Sequence, residues 1–256
     1  LLNAQWAGHR GLVALSGGEA LSTEIARSLL ARCAQLFNCY GPTEATVWSL
    51  VKAVEPSDLS GARVQIGGAL NHYRHYVLND YQQLMPIGCI GELYIGGHGL
   101  ARGYLHQPEL TKTRFIADPF SASNQARLYR TGDLVRCLAG GQYEFIGRID
   151  EQVKIRGYRI ELGEIESQLV SNEAVDSCQV LATEDASGHQ RLVAYIKPSQ
   201  SLDEQALVTT LRAGLAMTLP DYMIPSALVV VAQWPLTANG KIDKKALPQP
   251  GVSQLP

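Results

Sequence analysis

The twenty residues 147–166, GRIDEQVKIRGYRIELGEIE, constrain the fold more than any other stretch, because two secondary-structure periods and a dense set of charges meet there around a glycine. Arg148 and Asp150 flank an apolar residue at the end of a strand. Val153, Lys154, Ile155 and Arg156 then alternate apolar and charged, the period of an extended chain with one buried face, until Gly157 breaks the run. Beyond it Leu162, Ile165 and Leu169 recur at helical spacing, and Glu161, Glu164 and Glu166 crowd the first turns, where the helix dipole favours negative charge. The pattern predicts a site on a hinge. A plain hairpin with a solvated edge accounts for Lys154 and Arg156 equally well, since edge strands carry such residues against aggregation.

The 256 residues suffice for two modest domains or one large one, and 46% apolar with 18% charged residues is ordinary for a soluble globular chain. A net charge of -2 gives no electrostatic footprint for nucleic acid, and the apolar run at residues 228–232 is far too short for a membrane span, so neither partner is expected. Cysteines at positions 33, 39, 89, 137 and 178 form no CxxC pair and no framework spacing. That predicts reduced thiols in a cytoplasmic protein rather than disulfides or zinc. No signal peptide is visible, and the opening LLNAQWAGHRGLVALSGGEAL runs into strand and turn without a leading cap, which predicts a cut through a larger domain.

Three zones follow from the periodicity. Residues 12–15 read as a short strand ending at Gly17-Gly18, followed by a helix over residues 22–33 with Leu21, Ile25, Leu29 and Leu30 on one face. From about residue 63 to 146, short strands (HYVLN, ELYI, YEFI) alternate with Gly, Pro and Asn turns, predicting a small β-rich subdomain nearly without helices. After Asp150 the pattern gives a helix over 162–171, strands over 175–183 and 192–197, a helix over 203–217 and a strand over 227–233: a separate small α/β domain. The domains are therefore expected at 1–149 and 150–248. Residues 249–256, within the closing PQPGVSQLP, are expected to be a linker, since Pro, Gly and Gln cannot build a core.

Several clusters could carry chemistry. In NCYGPTE, residues 38–44, an aromatic ring, a Gly-Pro turn, a hydroxyl and a carboxylate follow a strand, a combination that suits a nucleotide. Tyr40 could stack on a base, Gly41 and Pro42 fix a sharp turn, and Thr43 and Glu44 could place oxygen ligands on a magnesium-bound phosphate; a plain loop with a satisfied Glu is the bland alternative. In YRTGD, residues 129–133, Asp133 follows a second turn and could accept both hydroxyls of a ribose, though an Asx turn explains it locally. Asn239-Gly240-Lys241 puts a Lys on a turn, where most lysines are simply solvated. Gly96, Gly97, Gly99 and Gly103 suggest a dinucleotide loop, but the following LARGYLHQPEL lacks the long helix and distal acid that loop requires. His72 and His75 fall on opposite faces of a strand and read as surface residues rather than metal ligands. Ser16 lacks the GxSxG elbow of a serine hydrolase.

Taken together, NCYGPTE, GELYIGGHGLARGYL, YRTGD, GRIDEQVKIRGYRIELGEIE, LPDYMIP and NGKIDKKAL resemble, in order and over residues 11–247, the adenylation domains of nonribosomal peptide synthetases, within the adenylate-forming superfamily. GPTE with LPDYMIP and NGKIDKKAL resembles the amino-acid-activating branch. The resemblance implies the C-terminal part of the large N-terminal domain, a strand-helix unit plus a small β-barrel-like subdomain, followed by a small mobile α/β domain. It implies a ligase that joins an amino acid to ATP and then passes the acyl group to the phosphopantetheine thiol of a peptidyl carrier protein, among neighbouring synthetase domains. Under it Tyr40, with Gly41, packs on adenine, Thr43 and Glu44 address the phosphates and Mg2+, Asp133 holds the ribose hydroxyls and Arg148 assists there. Asp150 resembles the hinge. Lys241 resembles the lysine that reaches the substrate carboxylate and the α-phosphate, and Lys154, Arg156 and Gly157 would serve the thioester step, Gly157 letting the pantetheine arm approach the backbone.

The sequence departs from the family in two places. It carries neither the Ser/Thr/Gly-rich, Lys-containing phosphate loop found upstream of GGEAL nor the Asp that anchors the substrate's amino group, so it is expected to bind nucleotide weakly and turn over poorly alone. The remaining pocket lining resembles Ala14, Ser16, Cys39, Val47 and Trp48, none charged. An aryl acid or acyl-CoA ligase of the same fold, and a silent carrier-docking module, are the competing readings; intact Thr43, Glu44, Asp133, Arg148 and Lys241 argue against the second, since clustered charges are costly to keep without a partner.

Overall fold

The structure is a computed structural model that describes residues 6–61, 63–184, 190–200, 203–237 and 239–251. The chain divides into two compact units, residues 1–150 and 151–256. In the first, β1 (Val13–Gly17) and β2 (Gln35–Tyr40) run parallel, connected through α1 (Thr23–Leu30). The helix is shorter than its apolar period predicts. Ser22 caps it, accepting from the Ile25 N–H at 3.2 Å, and it closes at Ala31, whose N–H returns to the Arg27 carbonyl. Its Ala26 packs with Leu21, Leu36, Val54 and Val64 in one cluster. β3 (Leu50–Ala53) joins β2 antiparallel, and β4 (Gly68–Ala69) completes this sheet.

A second, antiparallel sheet contains β5 (Tyr73–Leu78), β6 (Ile90–Gly97), β7 (Phe115–Ala117), β8 (Arg127–Cys137) and β9 (Tyr143–Arg148), in the order β5-β6-β8-β7 with β9 also on β8. The zone expected to be nearly free of helix holds one, α2 (Pro108–Arg114), whose proline occupies the first turn, where its missing N–H costs nothing. Tyr40, Ala45 and Leu50 from the first sheet's region pack with Val77, Leu93, Ile95, Val135 and Tyr143 in a single core, so the end of β2 is fixed against the second sheet.

YRTGD is not the turn after a strand that its composition predicts; it lies inside the eleven-residue β8. Glu92 faces Leu134 and Tyr94 faces Arg130, so Thr131, Gly132 and Asp133 stand opposite Leu93 alone. This bulge, with Gly132 at φ +74, lets polar residues sit in a central strand, and bulges re-aim side chains in just this way. One of the two histidines departs from the surface placement expected for both. His72, at φ +70, is exposed and precedes β5, whereas His75 is largely buried.

In the second unit, β10 (Val153–Ile155) and β11 (Tyr158–Ile160) form a hairpin. The alternating run stops at Ile155, because Arg156 (φ 54) and Gly157 (φ 80) make the two-residue turn, both in the left-handed region that tight hairpins require. α3 (Leu162–Val170) and α4 (Glu204–Thr218) pack on a sheet of β12 (Val175–Glu184), β13 (Gln190–Pro198) and β14 (Ala227–Val230), through Ile165, Leu169, Val180, Ala194, Ile196, Leu211, Leu215 and Leu228. The sheet's other core is Val193, Tyr195, Val229, Val231 and Leu247, with Trp234 and Ile242 against it. Asp203 caps α4, accepting from the Ala206 N–H at 2.7 Å. Glu166 does not serve the helix dipole: its carboxylate accepts from the Val180 N–H and the Gln179 amide, both at 2.8 Å. Of the expected linker, residues 252–256 lie outside the described residues, as do residues 1–5 of the opening segment. No helix among the described residues is long and apolar enough to cross a membrane.

Candidate functional site

The C-terminal end of β2 leads into a loop with no slack. A Cβ on Gly41 would lie 2.5 Å from the Val47 carbonyl oxygen and 2.7 Å from the Trp48 Cα, so only glycine lets the chain cross there. Thr43–Ala45 make one 3-10 turn, and Thr46 and Val47 then reverse the chain at φ 54 and 73. Thr43 is exposed, while Glu44 keeps 7% of its surface. The Glu44 Oε1 accepts from the Tyr104 hydroxyl at 2.6 Å. The same glycine-rich loop that fails as a dinucleotide motif clamps this turn twice more, the Ala101 N–H donating to the Glu44 carbonyl at 2.8 Å and Thr46 Oγ1 donating to the Gly99 carbonyl at 2.6 Å. Burial first, then the hydrogen bond to Glu44, raises the Tyr104 phenol, which stays protonated and donating at neutral pH. Sequence reasoning missed Tyr104, since nothing in a spacing of sixty residues announces the contact.

Tyr40 ties this loop to the bulge. The residue is 6% exposed and its hydroxyl donates to Asp133 Oδ2. Burial, followed by the charge of Asp133, pushes that hydroxyl well above the usual phenol range, which keeps it a donor. Asp133, 3% exposed, receives a second donor on Oδ1, the Arg148 Nη1 at 2.6 Å. Arg148 in turn grips Asp150 through two parallel bonds, Nε to Oδ1 at 2.6 Å and Nη2 to Oδ2 at 2.8 Å, and Arg114 stands 4.0 Å from the same carboxylate. Such forked pairs fix orientation as well as charge. A Cβ on Gly132 would meet the Arg148 Nη2 at 2.9 Å, so the bulge and the guanidinium need each other's shape.

The expected pocket residues do not all converge. Cys39 is buried, and a Cβ on Gly17 would meet the Cys39 carbonyl oxygen at 2.8 Å and the Trp48 indole nitrogen at 3.4 Å, which places these two residues together; Trp48 and Val47 are exposed. Ala14 instead packs into the cluster that α1 covers, and Ser16, two residues along β1, shares its side by strand alternation. Burial raises the Cys39 thiol, as expected for an inert structural cysteine.

In the second unit Lys154 is half-buried and faces Arg159 across the hairpin, while Val153 and Ile155 point into the core. Arg156 and Gly157 are exposed at the turn, and a Cβ on Gly157 would meet nothing within 4 Å, so its glycine answers to φ +80 rather than to crowding. Lys241 is exposed on a tight turn in which the Thr237 N–H donates to the Lys241 carbonyl at 2.8 Å and Gly240 takes φ +75.

Among the described residues no three His, Cys, Asp or Glu side chains gather as a metal site. Glu44 with the adjacent Thr43 hydroxyl suits Mg2+, which commonly rests on one or two carboxylates and keeps phosphate and water as its other ligands. The His75 Nε2 lies 3.0 Å from Ser49 Oγ, and burial lowers its pKa to about 4.

The sequence patterns of the AMP-binding enzymes and of their C-terminal domain match residues 4–105 and 164–241. The chain belongs to the AMP-binding enzymes of the adenylate-forming superfamily. Within them it falls among the adenylation domains of nonribosomal peptide synthetases. It is 45% identical over 244 residues to the dimodular nonribosomal peptide synthase of Bacillus subtilis, covering 95% of this chain and 10% of that one. It is 47% identical over 243 residues to malpinin synthetase of Mortierella alpina, covering 91% of this chain and 3% of that one. Among solved structures it matches holo-PA1221, a synthetase protein with adenylation and carrier domains bound to a vinylsulfonamide inhibitor (TM-score 0.79, 32% identity, 91% of this chain, 40% of that one). It also matches the Vibrio cholerae adenylation domain AlmE in complex with glycyl-adenosine-5′-phosphate (TM-score 0.79, 27% identity, 94% and 46%). The chain thus spans a small part of the length of these two synthetases and less than half of these two solved chains.

Proposed function

We propose that the protein takes part in activating an amino acid for nonribosomal peptide synthesis. In the first step a carboxylate oxygen of the amino acid attacks the α-phosphorus of ATP, the bond to the bridging oxygen of the β-phosphate breaks, and pyrophosphate leaves with that electron pair. In the second a carrier-protein phosphopantetheine thiol attacks the acyl carbon, AMP departs, and the thiol proton is lost. Both steps are acyl or phosphoryl substitutions that need charge stabilisation more than covalent help from the protein.

The observation that carries this reading is the state of Asp133. Tyr40 and Arg148 each engage one of its oxygens, and a carboxylate offers about four lone-pair positions, so acceptors remain for two vicinal ribose hydroxyls. On this reading Asp133 orients the ribose, Arg148 holds Asp133 in place, and Tyr40 packs on adenine. Thr43 and Glu44 address the phosphates, Glu44 by holding Mg2+, which when bound neutralises phosphate charge. Lys241 supplies positive charge to the carboxylate and α-phosphate, Asp150 is the hinge residue, and Lys154, Arg156 and Gly157 serve the thioester step. Cys39, Val47 and Trp48 contribute to the side-chain pocket.

The relatives support an amino acid over an aryl or fatty acid, since AlmE carries a glycyl adenylate and the Bacillus subtilis relative is a peptide synthase by name. The test is trapping of the acyl adenylate with hydroxylamine, in this chain and in a form extended upstream by the segment its solved relatives carry. The expected result is hydroxamate with at least one amino acid and none with aryl or fatty acids. Hydroxamate from an aryl acid alone would overturn the amino-acid assignment.

A further inference from the structure

Glu92 lies on β6 opposite the bulge and has no part in the site as described above. It is 6% exposed, and its carboxylate gathers four donor contacts: Arg130 Nε to both oxygens at 2.9 Å, the Gly132 N–H to Oε1 at 3.0 Å and the Tyr94 hydroxyl to Oε2 at 3.3 Å. The slip in register explains why a carboxylate is needed here. With three residues of β8 facing Leu93 alone, the Gly132 N–H loses its ladder carbonyl, and the Glu92 side chain takes that place. The Leu93 carbonyl goes instead to the Thr131 hydroxyl at 2.7 Å, and the Thr131 oxygen accepts the Asp133 N–H at 2.9 Å. The bulge is thus held from β6, and the charged group that holds it is Glu92.

We propose that Glu92 is a positioning residue for nucleotide selection: by holding the Gly132 N–H it fixes the angle at which Asp133 leaves β8, and so sets the preference for a ribose over a deoxyribose. This rests on the reading of Asp133 as the ribose ligand. A carboxylate that only stabilised the sheet would affect all nucleotides alike. One that aims Asp133 affects those nucleotides that Asp133 grips.

The test is ATP–pyrophosphate exchange with ATP and with 3′-deoxy-ATP, in the upstream-extended protein and its Glu92→Gln, Arg130→Gln and Asp133→Asn variants. Glutamine keeps the shape but removes the charge. We expect kcat/KM for ATP to fall about tenfold in Glu92→Gln, the loss of one charge-assisted hydrogen bond, with less than about a twofold fall for 3′-deoxy-ATP and an unchanged KM for the amino acid. Arg130 is 46% exposed in its side chain, so Arg130→Gln releases Glu92 from the solvent side and reproduces the pattern more weakly, and it carries the comparison if Glu92→Gln fails to fold. Equal losses with both nucleotides, or none, overturn the proposal. If Asp133→Asn abolishes the ribose preference while neither of the other variants touches it, the positioning role alone falls. A ribose preference that survives Asp133→Asn overturns the reading of Asp133 and this inference with it.

Discussion

Replacing Arg148 with methionine is the sharpest test of the network around Asp133. The guanidinium is 10% exposed in its side chain and Asp133 4%, so the pair has exchanged water for each other. Methionine keeps the stem and removes the donors, leaving Asp133 with the Tyr40 hydroxyl as the remaining described side-chain donor. Breaking a buried ion pair from one side costs roughly 3–5 kcal/mol, because the surviving charge stays desolvated. Asp150 adds little to the loss, being 34% exposed and able to regain water. We therefore expect the first unit's unfolding free energy to fall by about 3 kcal/mol, read from urea transitions followed by tryptophan fluorescence. Asp133→Asn in the same background removes the stranded charge and should return about 2 kcal/mol, a coupling within the range of contacting pairs. A loss under about 1 kcal/mol, or no recovery in the double variant, would mean that the buried pair does not govern this region.

Three further outcomes follow from particular residues. His75 has a folded pKa of about 4 against an ordinary value of 6.5, so the unfolded chain binds the extra proton. Stability is full above about pH 6.5, declines as pH falls toward 4 by up to about 3 kcal/mol, and His75→Gln should flatten that slope in melts across the same range. Gly41→Ala drives a Cβ to 2.5 Å from the Val47 carbonyl oxygen, and should destabilise the first unit by about 1–3 kcal/mol in the same urea titration, whereas Gly157→Ala acts through φ alone. Lys241→Ala should slow adenylate formation by roughly a hundredfold or more, as loss of one preorganised donor does, with a smaller effect on thioester formation in single-turnover transfer; near-normal adenylation would remove Lys241 from the mechanism.

What the sequence disclosed and what it withheld divide along chain distance. Periods of two and of three to four residues revealed α3, α4 and the strands of the second unit to within a few residues, because one buried face is enough to impose them. The strand 227–230 ends before the expected 233, since an apolar run continues past the last ladder bond into residues that pack as irregular chain. The interior of β8 was invisible because TGD is a turn by composition, and the bulge that accommodates it depends on a slip against β6 rather than on local preference. Tyr40 with Asp133 and Tyr104 with Glu44 are pairs 93 and 60 residues apart, which no spacing rule connects. The burial of His75 is hidden for a related reason: alternation fixes which face it takes, and only tertiary packing against Tyr143 and Ser49 decides that the face is covered.

The ligase reading is tested most directly by amino-acid-dependent ATP–pyrophosphate exchange over a panel of amino acids, measured on this chain and on the upstream-extended form. The expected result is exchange with at least one amino acid in the extended form, little in this chain alone, and a lowered but measurable exchange with ATP in the Asp133→Asn variant. No exchange with any amino acid from a folded extended protein would contradict that reading.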